Sequence, residues 1–312
     1  MLEASDADLG SGRADGGTVA VNVPERPAKS PAGNAATGPP NRRHHWVRTS
    51  LLIAGSLVIV IVAVAVGSYI FRDPPGPKSL GASTRQFKAT TTTAPTVGRL
   101  ALPAAGVYEA TGQGAERITR PPDSQRDGPV MPITVSYRSN GCWLWRIDYN
   151  TASWHEYEFC PHGTELLLVA QSNYQSWNFG LVSITNLARY KCDPPSPILV
   201  QSPKPGETFT QRCTGTNTAV PGPSVAAGTV TVVGVKTVLI GKTPVRAVEM
   251  TRSQTISGAQ YGVLDESWWF ATSTGLPIKA ERDYKLVTSS AIGKITYTES
   301  GSWQLNSLTP RS

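Results

Sequence analysis

Histidine and cysteine are scarce in this chain of 312 residues, at four each. His44 and His45 precede a long apolar run, so only His155 and His162 serve everything after it. Nucleophilic catalysis needs a base held beside the nucleophile. No Gly-x-Ser-x-Gly elbow supplies that nucleophile. His155-Glu156 and His162 do not match the His-Glu-x-x-His spacing of a helical zinc site. Ile240-Gly241-Lys242-Thr243 has the ending of a phosphate-binding loop, but Lys236 stands where its first glycine belongs and Pro244 where its helix should begin. Asp265 and Glu266 are adjacent, so on a strand they point to opposite faces and cannot act as a pair. The expectation is a protein that is not an enzyme, with no catalytic residue, no metal and no cofactor.

Charged residues are also few, at 16% of the chain. The net charge of +7 and pI of about 9.3 permit contact with anionic lipid or an envelope polymer. The basic residues are scattered rather than clustered on one element, so nucleic acid is not an expected partner.

Charge is missing altogether from Thr49 to Phe71, 23 residues bracketed by Arg48 and Arg72. At about 1.5 Å per residue, a helix of this length spans a hydrocarbon layer of roughly 30 Å. The run is rich in Val and Ile, which suit a strand in water. In lipid, an isolated segment must satisfy its own backbone and is therefore a helix. Trp46 and Tyr69 stand near the ends, where amphipathic rings favour the interface. A cleaved signal peptide fits less well. The preceding region is too long, and the run exceeds the usual apolar stretch of roughly 7–15 residues. A transmembrane helix over 47–72 is expected, and Ala63 and Gly67 form a small-xxx-small pair on it.

All four cysteines, Cys142, Cys160, Cys192 and Cys213, follow this run. An even set on one side fits disulfides in an oxidising compartment. Flanking Arg and Lys are nearly balanced, so the cysteines set the orientation: plasma membrane, N-terminus cytoplasmic, C-terminal domain extracellular. Residues 1–46 mix five acidic residues, five basic residues and five prolines without a helical apolar period. Such a segment is expected to be disordered. Residues 73–104, with Pro74, Pro75, Pro77 and the Thr90–Thr93 tract, read as a stalk. Residues 105–310 form the external domain.

That domain carries the punctuation of strands and turns. Ile278, Ala280, Tyr284 and Leu286 alternate with Lys279, Glu281, Asp283 and Lys285, as in a half-buried antiparallel strand. Arg282 interrupts the apolar row and needs a partner or the strand edge. Thr229–Ile240 and Pro244–Ile256 read as a hairpin around Gly241-Lys242-Thr243. Roughly ten to twelve strands are expected, in one large antiparallel sheet that curls on itself as a partly open barrel, or in two packed sheets. A hairpin centred on Thr151 places Cys142 opposite Cys160, Arg146 opposite Glu156, Trp143 opposite Phe159 and Trp145 opposite Tyr157. That register favours a Cys142–Cys160 disulfide, leaving Cys192 for Cys213, although four cysteines allow three pairings.

The aromatics are the remaining signal. Trp143, Trp145, Tyr157, Phe159, Trp268 and Trp269 are the candidate ligand or interface residues, and on one strand Trp268 and Trp269 must face opposite ways. Gly141-Cys142, Trp145-Arg146, Trp154 to Cys160, Pro205-Gly206-Glu207-Thr208 within the Cys192–Cys213 loop, Ser267-Trp268-Trp269, Thr274-Gly275-Leu276-Pro277 and the ending Leu305 to Pro310 recur, in that order, in a group that this chain resembles. The group consists of single-pass, membrane-anchored actinobacterial proteins, and the likeness brings no active site with it. The run from Gly228 to Leu286 is more distantly similar to envelope lipoproteins of the lipid-carrier type. That resemblance implies a curved sheet around an apolar cavity. Two functions are expected in order: a non-catalytic envelope module binding an apolar or amphipathic ligand or an envelope component, then a protein–protein module of an envelope complex. An envelope hydrolase comes last.

Overall fold

A computed structural model describes residues 58–87, 101–200, 202–290 and 293–311. The tail over 1–46, most of the apolar run and the Thr90–Thr93 tract lie outside the described residues. Among the described residues two helices come first, α1, described over 58–70, and α2 (Leu80–Gln86). The strands follow in sequence: β1 (Gly106–Thr119), β2 (Pro122–Arg126), β3 (Val130–Tyr137), β4 (Trp143–Asp148), β5 (Ser153–His162), β6 (Glu165–Asn178) and β7 (Ser183–Val200). β8 (Thr208–Asn217), β9 (Val220–Ile240), β10 (Thr243–Gly258), β11 (Gln260–Ala271), β12 (Pro277–Ser290) and β13 (Gly293–Leu305) complete the set.

From β3 to β13 each strand pairs antiparallel with the next, β1 pairs with both β2 and β3, and β13 returns to pair with β1 from Ala110↔Leu305 to Ile118↔Tyr297. The sheet is therefore a closed up-and-down barrel rather than a partly open one or two packed sheets. Closure satisfies the edges that an open sheet of this size would leave bare. β2 and β3 share one edge of β1, so twelve strands form the ring and β2 extends it at one end.

The expected local registers are present. Trp143↔Phe159, Trp145↔Tyr157, Arg146↔Glu156 and Ile147↔His155 pair across β4 and β5. Both disulfides form, Cys142–Cys160 beside that hairpin and Cys192–Cys213 between β7 and β8. The β9–β10 hairpin turns at Gly241, and a bulge opposite Glu249 and Met250 takes up one residue where Gly234 adopts a φ of 149°. Only glycine holds such an angle without strain.

One end of the barrel is filled. Trp143, Trp145, Phe159, Phe270 and Trp303 are buried there with Trp268, and their rings meet at centroid distances of 4.9 to 6.3 Å. Offset and edge-on contacts of this kind are favourable beyond the area they bury.

The segment expected as a stalk is docked at both of its described ends. Gly76 accepts a hydrogen bond from the Thr151 amide at 2.9 Å, and Lys78 reaches Asp148 at 3.2 Å. The prolines that stop α1 also leave the chain extended, with free carbonyls that a neighbouring loop can bond. Pro103 and Ala104 accept from the hydroxyls of Tyr137 and Tyr108. No helix among the described residues is long and apolar enough to cross a membrane. α1 covers only the last part of the run expected to do so.

Candidate functional site

The unfilled half of the barrel is a cavity of about 630 Å³. Its mouth is ringed by the turns after β1, β6, β8, β10 and β12, and its floor lies above the aromatic plug. Inward-facing side chains change character along each strand. From floor to mouth, β6 presents Gln171, Asn173, Gln175 and then Trp177. β7 runs from Tyr190 and Asn186 to Ile184. On the facing wall, Tyr284 gives way to Leu286 and Tyr297 to Ile295. Arg252 and Gln254 give way to Ile256, Glu266 to Leu264, and Glu116 to Ile118. Seven strands thus carry hydrogen-bonding groups at the floor and an apolar band above it, and a second polar ring, with Arg120, Asn217, Gln260, Thr288 and Ser290, lines the mouth itself.

The floor is a buried ionic network in two halves. In the first, Arg252 pairs with Glu266, which also accepts from Trp268 Nε1 at 2.9 Å and from the hydroxyls of Tyr157 and Tyr284. Arg252 reaches across the lumen to Gln171 Oε1 at 2.9 Å. In the second, Arg282 donates to Glu299 and, at 2.6 Å, to Asp127, with its guanidinium 3.7 Å over the Tyr149 ring. The residue that broke the apolar row of β12 thus finds two carboxylates. His155 Nε2 lies 3.5 Å from Glu299, and the His155 ring stacks on Tyr284.

Glu116 and Glu299 are neighbours in this network and differ in protonation. Burial, reinforced by the charge of Glu299, pushes Glu116 up to about 8. Burial alone would raise Glu299 too, but His155 and Arg282 outweigh it and hold that carboxyl below its usual range. Glu116 therefore keeps its proton at neutral pH, while Glu299 is the anion that Arg282 sees. Ser153 and Gln125 both donate to Glu116, Gln125 at 2.7 Å. Each guanidinium has a carboxylate partner, so neither arginine is left as an unpaired cation.

Of the six aromatics singled out in the sequence, only Tyr157 borders the cavity. Trp143, Trp145, Phe159 and Trp268 belong to the plug. Trp269 faces outward as the pleat requires, yet is only 8% exposed and lies under the Lys279 amine at 4.0 Å. None offers an open aromatic interface. A cluster of metal-type ligands among the described residues, Cys142, Cys160 and Glu158, is closed by the disulfide. The sequence reading missed Arg252, Glu266, Glu299, Glu116 and the amides of β6. The available signal was Arg282, together with the polar side chains spaced two apart in Gln171, Asn173 and Gln175.

No protein-family model matches the chain, and no curated protein matches it. Among solved structures, it is similar to the hypothetical lipoprotein YmcC from Escherichia coli (K12), at 12% identity and a TM-score of 0.31. That match covers 66% of this chain and 85% of the other.

Proposed function

We propose that the barrel is a non-catalytic envelope module that holds an amphipathic ligand, polar part on the floor and apolar part toward the mouth. The polar floor and the apolar band above it, repeated on seven strands, carry this reading. The volume also falls within the range of roughly 300–1,000 Å³ usual for small-ligand sites. An apolar ligand alone would leave the buried Asn173 Oδ1 without a partner, and a fully polar one would set its polar groups against Ile184, Leu286 and Ile295. In this reading the module is tethered to the plasma membrane by the helix that ends in α1, with the barrel outside the cell.

Native mass spectrometry of the full chain, released from detergent, tests the proposal. The expected result is an added mass of one amphiphile per chain that organic solvent removes. Ala188 lines the cavity and is 3% exposed. Ala188→Trp would fill part of the space, so the variant should fold, form both disulfides and lose the added mass. A wild-type chain that carries nothing, or a variant that retains the full load, would reject the cavity as the site.

A further inference from the structure

The end of α1 is built into the rim of the barrel, on the side where the cavity opens. Tyr69 donates to the Pro122 carbonyl at 2.7 Å, and Arg72 pairs with Asp123, the first two residues of β2. On its other side, α1 touches the β6–β7 turn. Gly180 lies so close to Ser68 that an added Cβ would stand 2.5 Å from the Ser68 carbonyl carbon. The Arg72 guanidinium lies 4.0 Å over the Tyr69 ring and 5.9 Å from the Phe179 ring. Among the described residues β2 pairs only with β1, and the end of α1 bridges the start of β2 to the turn after β6.

These contacts fix the level of the rim along the helix. Ser68 lies four residues before Arg72, within the apolar run. The tip of the β6–β7 turn is Leu181 and Val182, 62% and 61% exposed. It therefore stands level with the last apolar turns of α1, whose own side chains Ile59, Val62, Val66 and Ile70 are at least 50% exposed. An apolar helix segment that is exposed on all sides, as residues 58–64 are, is solvated by lipid. The tip beside it shares that solvent, and Tyr69 and Arg72 mark the interface.

We infer that the mouth of the cavity rests in the outer leaflet, with Leu181 and Val182 inserted, and that the ligand is a membrane lipid gripped by its head while its tail stays in the bilayer. This rests on the proposed function and on the anchor reading. Inside the cavity, the polar floor would meet the head of such a lipid and the apolar band above it the glycerol end, with the polar ring at the mouth beside the headgroup layer. Both floor arginines are already neutralised by carboxylates, so the head that fits is uncharged and rich in hydroxyls, such as a glycosyl group, rather than an anionic phosphate.

The test uses the full chain reconstituted in vesicles of phosphatidylcholine containing a monoglycosyl diacylglycerol. The native cysteines are all paired, so Val182→Cys or, at the filled end, Lys242→Cys supplies a single thiol for an environment-sensitive fluorophore. Lipids with a nitroxide on the acyl chain should quench the label at 182 several-fold more than the label at 242. Native mass spectrometry from the same vesicles should find the glycolipid retained over phosphatidylcholine. Glycolipid in the cavity without quenching at 182 overturns the membrane-seated mouth and leaves the proposed function standing. Quenching at 182 with an empty cavity overturns lipid capture, and the proposed function with it. Retention of an added anionic phospholipid in place of the glycolipid overturns the choice of head. A chain that does not float with the vesicles overturns the anchor reading and this inference together.

Discussion

Glu116 is one residue whose chemistry depends wholly on its neighbours. Its ordinary value is 4.5 and its value in the barrel is about 8. Between these limits the folded chain holds a proton that the unfolded chain has released. Stability therefore falls as pH rises from about 4.5 toward about 8, and the loss is complete above that. The unfolding temperature of the full chain should drop between about pH 6 and about pH 9, and Glu116→Gln should remove most of that drop. Thermal scans by near-ultraviolet circular dichroism would show it, and an equal drop in both proteins would assign the effect elsewhere. Glu299 has the opposite sign: its carboxyl is depressed, so its contribution is lost only as pH falls into the acid range. Arg282 joins the two effects. Arg282→Met leaves Glu299 and Asp127 buried without their cation, which should cost about 3–5 kcal/mol in a denaturant titration. A cost below about 1 kcal/mol would mean that water or a rearranged partner replaces the guanidinium.

The β4–β5 hairpin shows how much one element can settle by itself. Its register follows from alternation about Thr151, because a shift of one residue would turn Trp143 and Trp145 outward. The Cys142–Cys160 bond then ties together strands that already face each other. Loop closure of this length is worth about 3 kcal/mol in the chain-entropy picture. Cys142→Ser with Cys160→Ser should lower the denaturation midpoint accordingly and leave the folded spectrum unchanged. A lost near-ultraviolet signal would instead show that the bond is needed to seat the aromatic plug. The amides of β6 illustrate the limit of an element read alone. Gln171, Asn173 and Gln175 alternate as a solvated face would, yet closure of the sheet turns that face inward.

At the scale of the molecule, closure creates the site. An open sheet with these strands would have one wet face and one dry face. Joining β13 to β1 makes the dry face a lumen, and the lumen holds more side chains at one end than at the other. Trp145, Trp268 and Trp303 fill that end, while the smaller residues of β6 and β7 leave the other end empty. The polar floor and the apolar band above it exist only because strands distant in sequence, β6 and β12 among them, are set to the same height.

The sequence by itself determined what depends on near neighbours: an antiparallel β domain, the hairpins, the register that faces Cys142 to Cys160 and the place where α1 must stop. Alternation, turn residues and proline act over a few positions, so these features are legible without a structure. The tertiary structure alone decided that the sheet closes, that Arg282 ends between Glu299 and Asp127, that five of the six candidate aromatics avoid the cavity, and that the described ends of the expected stalk are docked. Each of these depends on contacts between residues tens to nearly two hundred positions apart, and on burial in a lumen whose low polarity no single strand possesses.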